Sequence, residues 1–126
     1  IMKMPKKIYI TEADIDRLNR IVMNTKDSPT VRKLQEELDR AIILKSEEIP
    51  PDVVTMNSRV QFKTLETDST SEVTIVYPSD ADSSHARVSI LAPVGAALIG
   101  LRVGDEIEWA LPTGLVRTFK IISVGY

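Results

Sequence analysis

Cysteine is absent from this 126-residue chain, and histidine occurs once, as His85. The first absence excludes disulfides, thiolate chemistry and cysteine-based zinc sites, and the second leaves little scope for a histidine-rich metal centre. No metal and no cofactor is expected. No apolar run approaches the ~20 residues that span a bilayer, and the first residues lack a signal peptide's apolar core. The chain is therefore read as cytoplasmic and without a membrane partner. An excess of basic charge is missing as well: 16 Lys and Arg stand against 18 Asp and Glu, a formal net charge of −2. Proteins that coat nucleic acid draw on clustered cations to release counterions, so no direct sequence-specific nucleic-acid binding is expected. What is present, 43% hydrophobic and 27% charged residues, is the composition of an ordinary globular protein. Ile1, ahead of Met2, reads as a residue carried over from expression, with the natural start at Met2.

A length of 126 residues suits one domain, or one of about 70 to 80 residues with a helical appendage. Lys6 to Ile10 reads as an extended lead-in that packs Ile8 and Ile10. Thr11-Glu12-Ala13-Asp14 is close to a capping box, and Ile15, Leu18, Ile21 and Val22 follow at spacings of three and four, which predicts a helix over about 12–23. The polar run Asn24-Thr25-Lys26-Asp27-Ser28-Pro29 is a turn that ends in an N-cap and a first-position proline. From Thr30 to about Lys45 a second stripe, Val31, Leu34, Leu38, Ala41 and Ile42, predicts another helix. Two helices with facing stripes and a short connection make an antiparallel, coiled-coil-like hairpin. At three to four turns each, they need their base packed against something else to be stable.

Ile49-Pro50-Pro51 ends the helical region, because each proline disfavours helix at the residue before it. This divides the chain into an N-terminal helical hairpin, 1–48, and a C-terminal domain, 49–126. Beyond the boundary, Asn57–Leu65, Glu72–Tyr77, Arg87–Leu91, Asp105–Leu111 and Leu115–Val124 read as strands rich in Val, Ile, Thr and aromatics. Pro112-Thr113-Gly114 is a hairpin turn, Glu66–Ser71 a polar one, and one short helix is expected at 93–99. The fold class is α+β with a mostly antiparallel sheet.

The segment from Ser89 to Asp105 carries the strongest pattern. Pro93 suits a first helical position, Gly100 a helix stop, and Val103-Gly104-Asp105 a turn before the next strand. With Ser89, Pro93, Ala97, Leu98, Ile99, Gly100, Gly104 and Asp105, it resembles the C-terminal domain of the bacterial Gre transcript-cleavage factors, whose pattern is Ser-x-x-Ser-Pro, Ala-Leu-Ile-Gly and Gly-Asp. Ala92 replaces the second serine. The block Pro51-Asp52-Val53-Val54-Thr55-Met56-Asn57-Ser58-Arg59-Val60 narrows the resemblance to the regulator of nucleoside diphosphate kinase (Rnk) family, a Gre relative with a shortened hairpin. The resemblance runs over roughly residues 7–126. It implies an FKBP-like sheet, a role in transcription elongation with RNA polymerase as the partner near its secondary channel, competition there with Gre-type factors, and Ser89, Ala92, Pro93 and Val94 as the docking surface. Leu98, Ile99 and Gly100 are assigned to the fold.

Other chemistry is weaker. A Gre factor presents clustered carboxylates at its hairpin tip, where they help the polymerase hold a metal ion. Here the tip is Lys26, Asp27 and Ser28, the Asp-Leu-x-Glu-Asn-x-Glu pattern is absent, and a helix of about 12 residues reaches only about 18 Å. A prolyl isomerase encloses its substrate in aromatic side chains, and Phe62, Tyr77, Trp109, Phe119 and Tyr126 are the candidates, with Trp109 and Phe62 placed for the core. Asp80, Asp82, Ser84 and His85 lie in a polar loop without a matching oxyanion arrangement. Charged residues such as Glu36, Glu37, Asp39 and Arg40 read as a solvated face. The chain is read as a non-enzymatic regulator and, lacking a long heptad run, as a monomer; the alternatives are a cleavage-stimulating factor, a prolyl isomerase, or a module that affects nucleoside diphosphate kinase.

Overall fold

The computed structural model describes residues 7–110 and 113–126. Ile1, Met2, Lys6, Leu111 and Pro112 lie outside the described residues, and with them the expected start, the first residue of the lead-in, the end of the fourth expected strand and the first residue of its turn. The order is β1 (Tyr9–Thr11), α1 (Glu12–Met23), α2 (Pro29–Arg40), β2 (Ile42–Leu44), β3 (Arg59–Thr64), β4 (Ser69–Val76), β5 (Arg87–Ser89), α3 (Pro93–Leu98), β6 (Glu106–Ala110) and β7 (Val116–Gly125). The class is α+β, with helices first and a mixed sheet after them.

Both long helices begin where their caps predict. The Thr11 hydroxyl accepts from the Asp14 N–H at 3.2 Å and donates to the Asp14 carboxylate at 3.0 Å. Ser28 accepts from the Val31 N–H at 3.1 Å, with Pro29 opening α2. The second helix is shorter than its apolar stripe suggests. It stops at Arg40 because Ala41 turns to ψ 144, and Ile42–Leu44 pairs in parallel with Tyr9–Thr11. Apolar β-branched residues satisfy a strand as well as a helical stripe, and the Ile42 N–H donating to Ile8 O at 2.9 Å decides between them.

The main sheet runs β5-β4-β3-β7-β6. The pairs β3/β4, β3/β7 and β6/β7 are antiparallel, but β4 and β5 are parallel. The sheet expected to be mostly antiparallel is thus a mixed one, with its parallel pair at the β5 edge. Short helical turns at Pro78–Asp80 and Ser83–His85 carry the chain back over the sheet edge, so β5 starts again at the same end as β4. The turn expected over Glu66–Ser71 is tighter than that, because Ser69 already belongs to β4.

Buried residues from both halves form one apolar cluster: Leu18, Val22, Val31, Leu34 and Leu38 from the helices meet Phe62, Ile75, Trp109, Phe119 and Ile121 from the sheet and Leu98 from α3. Phe62 and Phe119 stack edge to face at 5.1 Å. At roughly 1.5–3 kcal/mol for each fully buried aliphatic side chain, this contact answers the short helices' need for a packed base.

Polar contacts add direction. The Tyr77 O–H donates to the Asp14 carboxylate at 2.7 Å, and the Arg17 guanidinium lies 3.5 Å above the Tyr77 ring. Burial, and then the Asp14 carboxylate, pushes the Tyr77 hydroxyl well above its ordinary pKa. Tyr77→Phe keeps the ring under Arg17 and removes only the hydrogen bond. It is expected to cost about 1–2 kcal/mol, seen as a lower urea midpoint at unchanged slope. Elsewhere Arg102 grips the Asp52 carboxylate from Nε and Nη2 at 2.9–3.2 Å, tying the Pro51–Val54 segment to the turn after α3.

Candidate functional site

The loop from Ser89 to Val94 is held by its own backbone. Ser89 Oγ accepts from the Leu91 N–H at 3.0 Å, and Ser89 O accepts from the Ala92 N–H at 2.9 Å. Ala92 is the extended N-cap of α3, its carbonyl accepts from Ala96 at 2.9 Å, and Pro93 follows at the first position. A side chain at Gly95 would overlap the Ser89 carbonyl oxygen, so only glycine lets α3 fold this closely onto β5. Ser89, Ala92, Pro93 and Val94 are all half-buried, and Val94 also packs against the core.

Ala92 leaves the cap of α3 without a side-chain hydrogen bond. Ala92→Ser is therefore expected to stabilise the protein by about 0.5–1 kcal/mol, measured as a rise in thermal midpoint. A neutral or lower midpoint would show that the loop cannot present the hydroxyl to α3.

Pro93 and Leu91 line a cavity of about 780 Å³ whose other walls include Ser28, Pro29 and Lys33 of α2 and Trp109 of β6. The sequence offered no sign that the start of α2 and the loop before α3 meet, because the contact depends on how the helices lie on the sheet. The structure thus brings Ser28 from the tip to the Ser89–Val94 loop and leaves Lys26 and Asp27 outside the cavity. Lys26 and Asp27 are exposed, and Asp27 pairs with Arg32 at 3.3 Å. Among the described residues, no group of three or more His, Cys, Asp or Glu is placed to hold a metal ion.

The remaining candidates are scattered. Phe62, Tyr77, Trp109 and Phe119 are core residues, while Tyr126 is 74% exposed, so the aromatic set does not enclose a common pocket. In the polar loop, Asp82 and the Ser84 hydroxyl both contact the same His85 nitrogen, Nδ1, at 2.7 and 3.1 Å, and Ser84 also donates to Asp82 at 2.6 Å. A relay would need aspartate and serine on opposite ring nitrogens. This cluster instead caps a turn: hydrogen bonds from Ser84 and His85 hold the Asp82 carboxyl below its ordinary pKa. Among the described residues no helix is long and apolar enough to cross a membrane.

Residues 49–126 match the family described as Transcription elongation factor, GreA/GreB, C-term, and residues 6–44 match Rnk N-terminus. The chain belongs to the Rnk family. Its candidate surface is built from both matched segments, the α2 N-terminus from one and the Ser89–Val94 loop from the other. The chain is 41% identical to the Regulator of nucleoside diphosphate kinase of Escherichia coli K12 over 121 residues, 94% of this chain and 89% of that protein. It is 37% identical to transcription elongation factor GreA of Alkaliphilus oremlandii over 94 residues, 75% of this chain but 58% of that protein. The solved structure of a transcription elongation factor GreA/GreB from Nitrosomonas europaea superposes with TM-score 0.79 at 45% identity, covering 97% of this chain and all of that one. Gfh1 of Thermus thermophilus, at 20% identity and TM-score 0.51, shares the fold. The chain is thus a transcription-elongation-factor-like regulator by family.

Proposed function

We propose that this protein binds RNA polymerase near its secondary channel through Ser89, Ala92, Pro93 and Val94, competes there with Gre-type factors, and does not stimulate transcript cleavage. The observation that carries this reading is the junction of the Pro93 loop with the start of α2 at one cavity. In this view α1 and α2 form a short antiparallel hairpin, residues 1–48, seated on an FKBP-like domain, 49–126. At ~1.5 Å per residue, a twelve-residue helix approaches the channel mouth without reaching a distant catalytic centre. The single tip carboxylate, Asp27, already pairs with Arg32, whereas two hard metal ions call for clustered oxygen ligands.

Competition on one polymerase preparation tests the reading. Purified protein should be displaced by a Gre factor and should displace it in turn, while a stalled elongation complex sheds no short RNA on its addition. Both factors bound at once, or a Gre factor bound where this protein is not, would overturn it. Ala92→Asp offers a variant that separates docking from folding. An N-cap aspartate favours α3, yet it sets a charge in the middle of the proposed contact, so affinity should fall about tenfold with no loss of thermal stability. The name of the Escherichia coli relative adds a second reading, an effect on nucleoside diphosphate kinase. Comparing kinase activity with kinase transcript in a deletion strain separates action on the enzyme from action on its expression.

A further inference from the structure

A second concavity, of about 500 Å³, adjoins the first across Leu91, which lines both. Its floor and rim come from Ile21, Arg17 and Arg20 of α1 and from Pro78. Together the two concavities make a face that runs from the last turns of α1, over Leu91 and Pro93, to Trp109. On a chain with net charge −2, this face is cationic: Arg17, Arg20 and Lys33 line it, against one carboxylate, Glu108, on the β6 side. Arg17 is engaged on the Tyr77 ring. Arg20 and Lys33 are exposed and make no ion pair among the described residues, so their charge is available to a partner.

We propose that this face receives an acidic protein segment with an apolar anchor. The anchor enters the larger cavity between Leu91, Pro93 and Trp109, and carboxylates on the partner lie over Arg20 and Lys33. Charge complementarity selects the class of partner. Two open cations on either side of an apolar centre suit a segment whose own carboxylates flank an apolar side chain, since opposite charges at the rim steer the encounter and fix its register. A nucleic-acid strand is the poorer occupant: it would need a stacking platform, and the one aromatic ring of the cavity, Trp109, is 3% exposed. This inference rests on the proposed function, in which the segment belongs to RNA polymerase.

The test is binding of purified polymerase to the full chain and to charge-reversed variants, at low and high salt. Lys33→Glu and Arg20→Glu should each weaken binding several-fold and the double variant by about tenfold or more, with a shallower salt dependence than the parent. Lys45→Glu makes the same change of charge beyond the opposite end of α2 and should bind as the parent does. All three positions are surface ones, and unchanged far-ultraviolet spectra and thermal midpoints confirm that the variants fold. If the parent binds polymerase and the double variant binds equally well, the cationic face is not the contact and this inference alone falls. If the parent binds no polymerase, the proposed function falls with it. If the double variant loses instead the capture of a labelled single-stranded RNA, the face serves nucleic acid and the inference is overturned.

Discussion

Replacing Gly100 by alanine is expected to remove about 2–4 kcal/mol of stability. Gly100 has φ +79, and an added Cβ would lie 2.5 Å from Ile8 Cβ and 3.2 Å from the Tyr9 nitrogen. The left-handed backbone costs a non-glycine residue roughly 1–2 kcal/mol, and forcing extra volume into packed surroundings costs roughly 1–3 kcal/mol more. The neighbour cannot easily give way, because the Tyr9 N–H donates to Gly100 O at 3.1 Å and the Gly100 N–H donates to Val54 O at 2.8 Å. Urea unfolding followed by the fluorescence of the buried Trp109 measures the loss. A double-mutant cycle with Ile8→Gly separates the two sources, since removing the Ile8 Cβ relieves the closest contact and leaves the backbone strain at position 100. A loss below about 1 kcal/mol, within reach of backbone strain alone, would mean that β1 does not press on this turn.

Leu34→Ala is expected to cost about 3–5 kcal/mol, the upper part of the range for a leucine cut back in a rigid surrounding. Leu34 has no solvent exposure and belongs to the cluster that joins the helices to the sheet. Against a total stability of about 5–15 kcal/mol for a domain, such a loss brings the helical segment close to local unfolding. Amide hydrogen exchange should therefore quicken in α1 and α2 more than in β3 and β7. Equal acceleration everywhere would show that helices and sheet unfold only together.

Local grammar carried most of the architecture. Thr11 and Ser28 mark helix starts because a hydroxyl before an apolar stripe meets a free backbone N–H, and both hydroxyls accept the expected bonds. Pro93 and Gly100 bracket a six-residue helix and its stop for equally local reasons. Reading failed where the deciding contact is distant. Ile42–Leu44 continues the helical stripe of α2 yet becomes a strand, because β1 offers it a ladder. The parallel entry of β5 was illegible, since strand direction follows from the path of Pro78–His85 over the sheet edge. At the candidate site, the loop from Ser89 to Val94 could be named from its pattern. Its companions Ser28, Lys33 and Arg20 could not be linked to it, because they sit some 55 to 75 positions away in the chain and meet it only through packing.

The parallel ladder of β1 and β2, stitched at Tyr9 to Gly100, also sets an order of assembly. Contacts between distant positions must wait for the intervening chain and bear its closure entropy. On the ribosome, α1 and α2 emerge well before the backbone that closes their base, around Gly100 and Leu101, which follows some 60 positions after α2 ends at Arg40. Two short amphipathic helices with an uncovered apolar stripe are marginal on their own. The nascent helical segment is thus committed to its final placement only once Gly100 and Leu101 have emerged, and until then its apolar stripe is open to chaperones.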